Sequence, residues 1–263
     1  MNWSRWSALL AVAVLATTLA PAAHAVDGVT LINQATALHP LPGCAPAESS
    51  ELINICQPGS YRLAGNIVAS GTYQIAINIR TSNVVLDLNG FTLTGGPGGS
   101  AITQVDADRA SVLIADNTIV ENGEISGVID LAFTHGVTVR NVTVVADTAI
   151  KVGAQATVSD STLRGTSGVS STRGVDIESG TIRNTVIDGF NFDVNVVNGG
   201  HVLISGCTIQ NASNAGIAKN FGNSNFGGLA GFGSTVFFNN AQDVVPGAGQ
   251  SMGNNVSSSG STF

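Results

Sequence analysis

Asn141-Val142-Thr143-Val144, Asp160-Ser161-Thr162-Leu163, Asn184-Thr185-Val186-Ile187 and Gly206-Cys207-Thr208-Ile209 repeat one phrase: a turn residue, a small or polar pair, then an aliphatic. Asp116-Asn117-Thr118-Ile119 reads as a further copy upstream. A second phrase, small-aliphatic-polar, falls between them at Ala101-Ile102-Thr103, Val128-Ile129-Asp130, Ala149-Ile150-Lys151, Gly174-Val175-Asp176, Asp193-Val194-Asn195 and Gly216-Ile217-Ala218. Measured between the aliphatics of the second phrase, the step averages about 23 residues and ranges from about 19 to 27, the period of stacked solenoid repeats.

Aligned on these phrases, the chain has three aliphatic columns. Ile114, Val139, Val158, Ile182 and Ile204 form the first, Ile119, Val144, Leu163, Ile187 and Ile209 the second, and Ile102, Ile129, Ile150, Val175, Val194 and Ile217 the third. Strands too short to bury a face alone hide their aliphatics by stacking like on like at about 4.8 Å per strand, so each column is expected to point inward. Asp116, Asn141, Asp160 and Asn184 recur where a sharp bend needs residues that tolerate the left-handed region, and Gly206 fills the same place without a Cβ.

The composition agrees. With 32 Gly and only 10% charged and 5% aromatic residues, helices would be poor, while Val, Ile, Thr and Gly suit short strands and tight turns. Residues 1–25 read as a signal peptide: Arg5, an apolar run over 8–20 too short to span a bilayer, and the small-x-small site Ala23-His24-Ala25. Cleavage after Ala25 would place the protein in the periplasm or outside the cell. A cap and loop are expected over 26–58, the coils over 59–246, and a loose tail over 247–263. Within the cap, Val29, Leu31, Ile32, Ala35 and Leu38 suggest one face of a short helix covering the first coil. Of three cysteines, the close pair Cys44 and Cys56 is read as a disulfide, and Cys207 as a small, partly buried coil residue. A net charge of −7 leaves no basic patch for nucleic acid or an anionic membrane.

Two stretches carry a family likeness. Gln57-Pro58-Gly59-Ser60-Tyr61-Arg62-Leu63 and Asn83-Val84-Val85-Leu86-Asp87-Leu88-Asn89-Gly90-Phe91-Thr92-Leu93-Thr94-Gly95 resemble the opening coils of secreted bacterial right-handed parallel β-helix repeat proteins, a group of the pectate-lyase-like superfold without assigned activity. The resemblance, over 59–238, implies an all-β, right-handed parallel β-helix. The right-handed rule for parallel crossovers agrees.

Catalytic members of such a fold carry their groups on outward positions, and the best candidates follow the third aliphatic column. Asp130, Lys151, Asp176 and Asn195, with Thr103 before them, should form an outward polar stripe. Asp130 and Asp176 would lie two strands apart, near the roughly 6.5–9.5 Å separation of inverting glycosidases. A Lys between two Asp is equally what a solvated face looks like, and that structural reading is preferred. The polygalacturonase-like hydrolases imply paired Asp and a Gly-His-Gly; Thr134-His135-Gly136 is the nearest approach and lacks the acidic partners. Pectate lyases imply clustered calcium-binding carboxylates with an Arg base, which Asp106, Asp108 and Arg109 match poorly, and no set suits a pectin methylesterase. His39, His135 and His201 read as surface residues, and no metal or cofactor is expected.

Thr118, Thr143, Thr162 and Thr208 form a second outward column of the kind that binds ice, but Val186 interrupts it. The next position, Val120, Val145, Arg164, Asp188 and Gln210, carries no Thr. Tyr61, Tyr73, Phe133 and Phe192 are the main aromatic platforms for a sugar. The preferred reading is an exported, non-catalytic protein that binds a polysaccharide or serves as a structural surface. A polysaccharide hydrolase or lyase using the stripe is the alternative, with ice binding last.

Overall fold

The computed structural model describes residues 28–44, 50–104, 116–166, 171–219 and 229–258, so the expected leader, Ile114, Asp106, Asp108 and Arg109 lie outside the described residues. The protein is all-β. Among the described residues the strands form one sheet of 17 and one of 8 members, and every pairing is parallel. The smaller sheet runs in chain order through Glu51–Ile55, Ile75–Ile79, Ser100–Thr103, Val128–Leu131, Thr148–Val152, Arg173–Ile177, Phe192–Val196 and Ala215–Lys219. Between successive members the chain lays down two stretches of the larger sheet, so each repeat contributes three. Alternation decides what faces the core: Val84–Asp87 and Thr92–Thr94 bury every second residue, as a one-sided strand must.

The expected columns exist, with one correction. Ile102, Ile129, Ile150, Val175, Val194 and Ile217 are successive register partners and fully buried. Val139, Val158, Ile182 and Ile204 form a second buried column, and Val144, Leu163, Ile187 and Ile209 a third. The upstream copy of the phrase is out of phase. Ile119 pairs with outward-facing Thr138, whereas Val120 pairs with Val139 and Ile125 with Val144. The bend matching Asn141 is therefore Asn122, and Thr118 is buried outside the Thr column. Phe232 and Phe237 stack on Ile204 and Ile209 and close two columns with an edge-to-face contact, ring centroids 5.5 Å apart.

Bends recur where the sequence places them at Asn141, Asp160 and Asn184, with Asn122 in place of the expected Asp116. Asn122, Asn141, Asp160 and Asn184 have φ of 62°, 52°, 53° and 49°. Their side chains bond along the stack: Asn141 Nδ2 donates to Asn122 Oδ1 at 3.4 Å, and Asn184 Nδ2 to Asp160 Oδ1 at 3.1 Å. The bond from Asn184, with a weaker one from Ser159, holds the Asp160 carboxyl below its usual range. At Gly206, φ is 63° and a Cβ would lie 2.7 Å from Asn184 Oδ1, so glycine takes the same left-handed corner without displacing the Asn184 side chain.

The N-terminal segment is not the expected helix. Val29–Ile32 is a strand paired in parallel with Gly59–Leu63, and only the five residues Gln34–Leu38 turn, as a 3-10 helix capped by Asn33. Strand alternation explains why Leu31 is exposed while Ile32 is buried. Gln34 then covers an edge: its side chain donates to Val68 O at 3.3 Å and accepts from Val68 N at 2.8 Å, as a neighbouring strand would. The disulfide Cys44–Cys56 ties the following loop to the smaller sheet, with Leu41 buried beneath. At the other end, part of the expected loose tail is ordered as Gly249–Ser251 and Val256–Ser257, which pair with Leu229–Gly233 and Val236–Phe238. Among the described residues no helix is long and apolar enough to cross a membrane.

Two measurements test this account of stability. Ile150→Ala should cost about 2–5 kcal/mol in chemical denaturation, because it opens a cavity between Ile129 and Val175. Replacing Cys44 and Cys56 together by Ser should cost about 3 kcal/mol, the entropy returned to a loop with a sequence separation of 12.

Candidate functional site

Each polar residue that follows a buried aliphatic in the smaller sheet must face away from the core, since side chains alternate along a strand. The register brings Thr103, Asp130, Lys151, Asp176 and Asn195 into one outward column, and extends it upstream through Asn54 and Asn78 and downstream to Ala218. The upstream members were missed in the sequence, although Ala76-Ile77-Asn78 is a further copy of the small-aliphatic-polar phrase.

The stripe is not evenly solvated. Asp130 and Lys151 have side chains 31% and 36% exposed, whereas Asn54, Asn78, Thr103, Asp176 and Asn195 are buried. Its charges are matched within the protein. Lys151 Nζ meets Asp130 Oδ2 at 3.0 Å. Asp176 accepts from Arg173 Nη1 at 2.9 Å through Oδ2 and from Asn195 Nδ2 at 2.7 Å through Oδ1. Lys151 is thus paired to one carboxylate, while Arg173, three residues upstream on the same strand, serves the other. At the upstream end buried Glu51 accepts from Asn78 Nδ2 at 2.8 Å and Arg80 Nη2 at 2.6 Å. Asn54 Oδ1 and Arg80 Nε beside them are buried without a hydrogen-bond partner.

His135, expected to lack an acidic partner, has one. Asp116 Oδ1 accepts the His135 backbone N–H at 3.0 Å and lies 3.1 Å from its Nδ1, with both side chains well exposed. Nineteen residues separate the two, and the pair forms because the turn after Val128–Leu131 sits against the start of the next stretch below it, where Asn117 N also donates to His135 O. Among the aromatic candidates, Tyr73 and Phe133 are 70% and 63% exposed, but Tyr61 lies in the core and donates its hydroxyl to Gln57 O at 2.7 Å. Cys207 is fully buried, and burial pushes its thiol up to about 11, which removes it as a nucleophile. The Thr column reads Thr92, Glu124, Thr143, Thr162, Val186, Thr208 and Val236, further from a regular lattice than the sequence suggested. Val120, expected beside it, is in the core. Among the described residues no group of three or more His, Cys, Asp or Glu is placed to hold a metal ion. Compared with protein-family models, curated proteins and solved structures, the chain matches none of them.

The most perturbed acid lies inside. The position before the column aliphatic holds buried Ala76, Ala101, Ala149, Gly174 and Gly216 in five strands of the smaller sheet, and half-buried Leu52 and Val128 in two others. A Cβ at Gly174 would come within 2.4 Å of Ile187 Cγ2, so this position looks into the core. Asp193 occupies it with no exposure; Oδ1 accepts from Phe190 N at 3.3 Å, and Oδ2 has no hydrogen-bond partner. Burial pushes its carboxyl up to about 9, against the pull of the Phe190 N–H and with a smaller push from the charge of Asp188. A folded-state value raised from 3.8 to about 9 contributes stability that is fully present below the lower value and lost as pH rises through the upper one. Asp193→Asn, which mimics the neutral acid, should flatten this slope between pH 5 and pH 9 and raise the melting temperature at pH 8 by at least about 4 °C. Thermal melts at three pH values check it.

Proposed function

We propose that the three-strand repeat winds as a right-handed parallel β-helix and that the protein is an exported, non-catalytic surface that binds a polysaccharide or serves as a structural element. Like-on-like parallel register through all three columns supports the winding, together with the resemblance of the opening stretches and the handedness rule for parallel crossovers. The Cys44–Cys56 disulfide suits an oxidising compartment. The sugar assignment rests on analogy with the fold.

The observation that carries the non-catalytic reading is the internal pairing of the stripe. Glycoside cleavage needs two carboxyl groups flanking one bond with room between them for sugar and water. Between Asp130 and Asp176 the register inserts Lys151, and each carboxylate already accepts from a cation of its own chain. The turns that follow Lys151 and Asp176 are short, three residues from Val152 to Ala156 and two from Ile177 to Gly180, while six residues run between Leu131 and Thr138 after Asp130. A second reading, hydrolysis, is favoured only by the exposed His135–Asp116 pair, which has the geometry of a carboxylate-oriented base.

A panel of neutral and acidic polysaccharides, assayed for both retention and cleavage, separates the two. Retention of at least one polymer without new reducing ends or unsaturated products is expected. Cleavage abolished by Asp130→Asn and Asp176→Asn would overturn the non-catalytic reading in favour of the stripe, and cleavage abolished by His135→Ala would overturn it in favour of the exposed pair.

A further inference from the structure

The C-terminal end differs from the rest of the surface in charge and apolarity. Between residues 220 and 263 the sequence holds one charged residue, Asp243, and its side chain is buried. The remaining chain carries 16 of the 17 acidic residues and all 10 basic ones. Among the described residues, half of the exposed large hydrophobics gather at this end: Leu203, Val236, Phe238, Met252 and Val256, from 40% to 66% exposed.

They form two groups on either side of one bend. Val236 and Val256 are register partners on adjacent strands, and Phe238 follows two residues along on the same face. Across the bend at Ser234, a point at Cβ distance above Gly231 would lie 3.0 Å from Met252 Sδ and 3.9 Å from Leu203 Cδ1, so those side chains meet over the bare glycine. Around them stand uncharged polar residues, Asn239, Gln250, Asn254 and Ser258. An apolar centre with a polar rim and no charge is the composition of a protein interface. The opposite end is finished within the chain, by the Gln34 side chain on Val68 and by the disulfide loop.

We propose that this C-terminal face is an interface for a second copy of the same chain, related by a two-fold axis. Charge selects the occupant. Two molecules of net charge −7 repel when most of their surfaces approach, and this face is where two copies meet without opposing like charges. A two-fold contact needs only self-complementarity, which an uncharged apolar patch supplies. A basic partner would find no carboxylate to pair with here, and an anionic membrane would repel the chain as a whole.

Sedimentation equilibrium of the disulfide-intact chain from about 1 to 200 μM tests the proposal, with a dimer dissociating within that range expected. Phe238→Lys and Val256→Lys each put like charges across the axis and should weaken the dimer at least about tenfold, as should Met252→Lys should either of the others fail to fold. Leu31→Lys, at the opposite end, should leave it unchanged, and circular dichroism confirms that each variant keeps its strands. A chain that stays monomeric over the whole range overturns the proposal. So does a dimer indifferent to all three C-terminal variants, or a monomer that instead binds neutral phosphatidylcholine vesicles through them.

Discussion

Everything in this molecule depends on register between parallel strands of adjacent repeats. A strand of three to five residues buries too little to hold itself in place, and its hydrogen bonds are made to a strand some twenty residues away in the chain. What makes the arrangement stable is that valine, leucine and isoleucine meet their own kind above and below, at a spacing set by the backbone. A slip of one residue would turn each buried aliphatic outward and each polar residue inward, so the columns hold register as firmly as they hold the core.

The polar outer surface follows from the same constraint. Residues beside the buried columns are stacked at the same short distance, and like charges cannot share a column without cost. The chain answers with local pairs: Lys151 with Asp130, Arg173 with Asp176, Arg62 with Asp87 and Arg140 with Glu121. Corners use amide ladders instead, where asparagine gives a donor to one neighbour and an acceptor to the other. Such matching leaves few ionisable groups with unmet demands. Among the described residues the buried exceptions are Asp193 Oδ2, Arg80 Nε and Arg173 Nε.

How far the sequence could be read depended on phase. From Asn141 onward the phrases keep one order, and all three columns were legible, as were the bends and the Cys44–Cys56 bridge. Upstream, residues 104–118 lengthen one connection, and Asn117 and Asn122 both take the left-handed turn that the phrase requires. The copy of the phrase that begins at Asp116 was matched to Asn141, whereas the corner in register with Asn141 is Asn122. The N-terminal segment failed for a related reason: Val29, Leu31, Ile32, Ala35 and Leu38 fit a helical face, and nothing local tells that Val29–Ile32 has a partner waiting at Gly59–Leu63.

The sequence by itself determined the three-strand period and, from Asn141 onward, which column aliphatics are buried and where the chain turns, because those are consequences of alternation and of the few residues that accept a positive φ. Only the tertiary structure decided which polar groups meet. That Asp116 lies against His135, that Lys151 serves Asp130 while Asp176 turns to Arg173 and Asn195, and that Asp193 is shut inside are contacts between repeats. Their energies depend on side-chain reach and exclusion of water, and neither quantity is written in the order of residues along one strand.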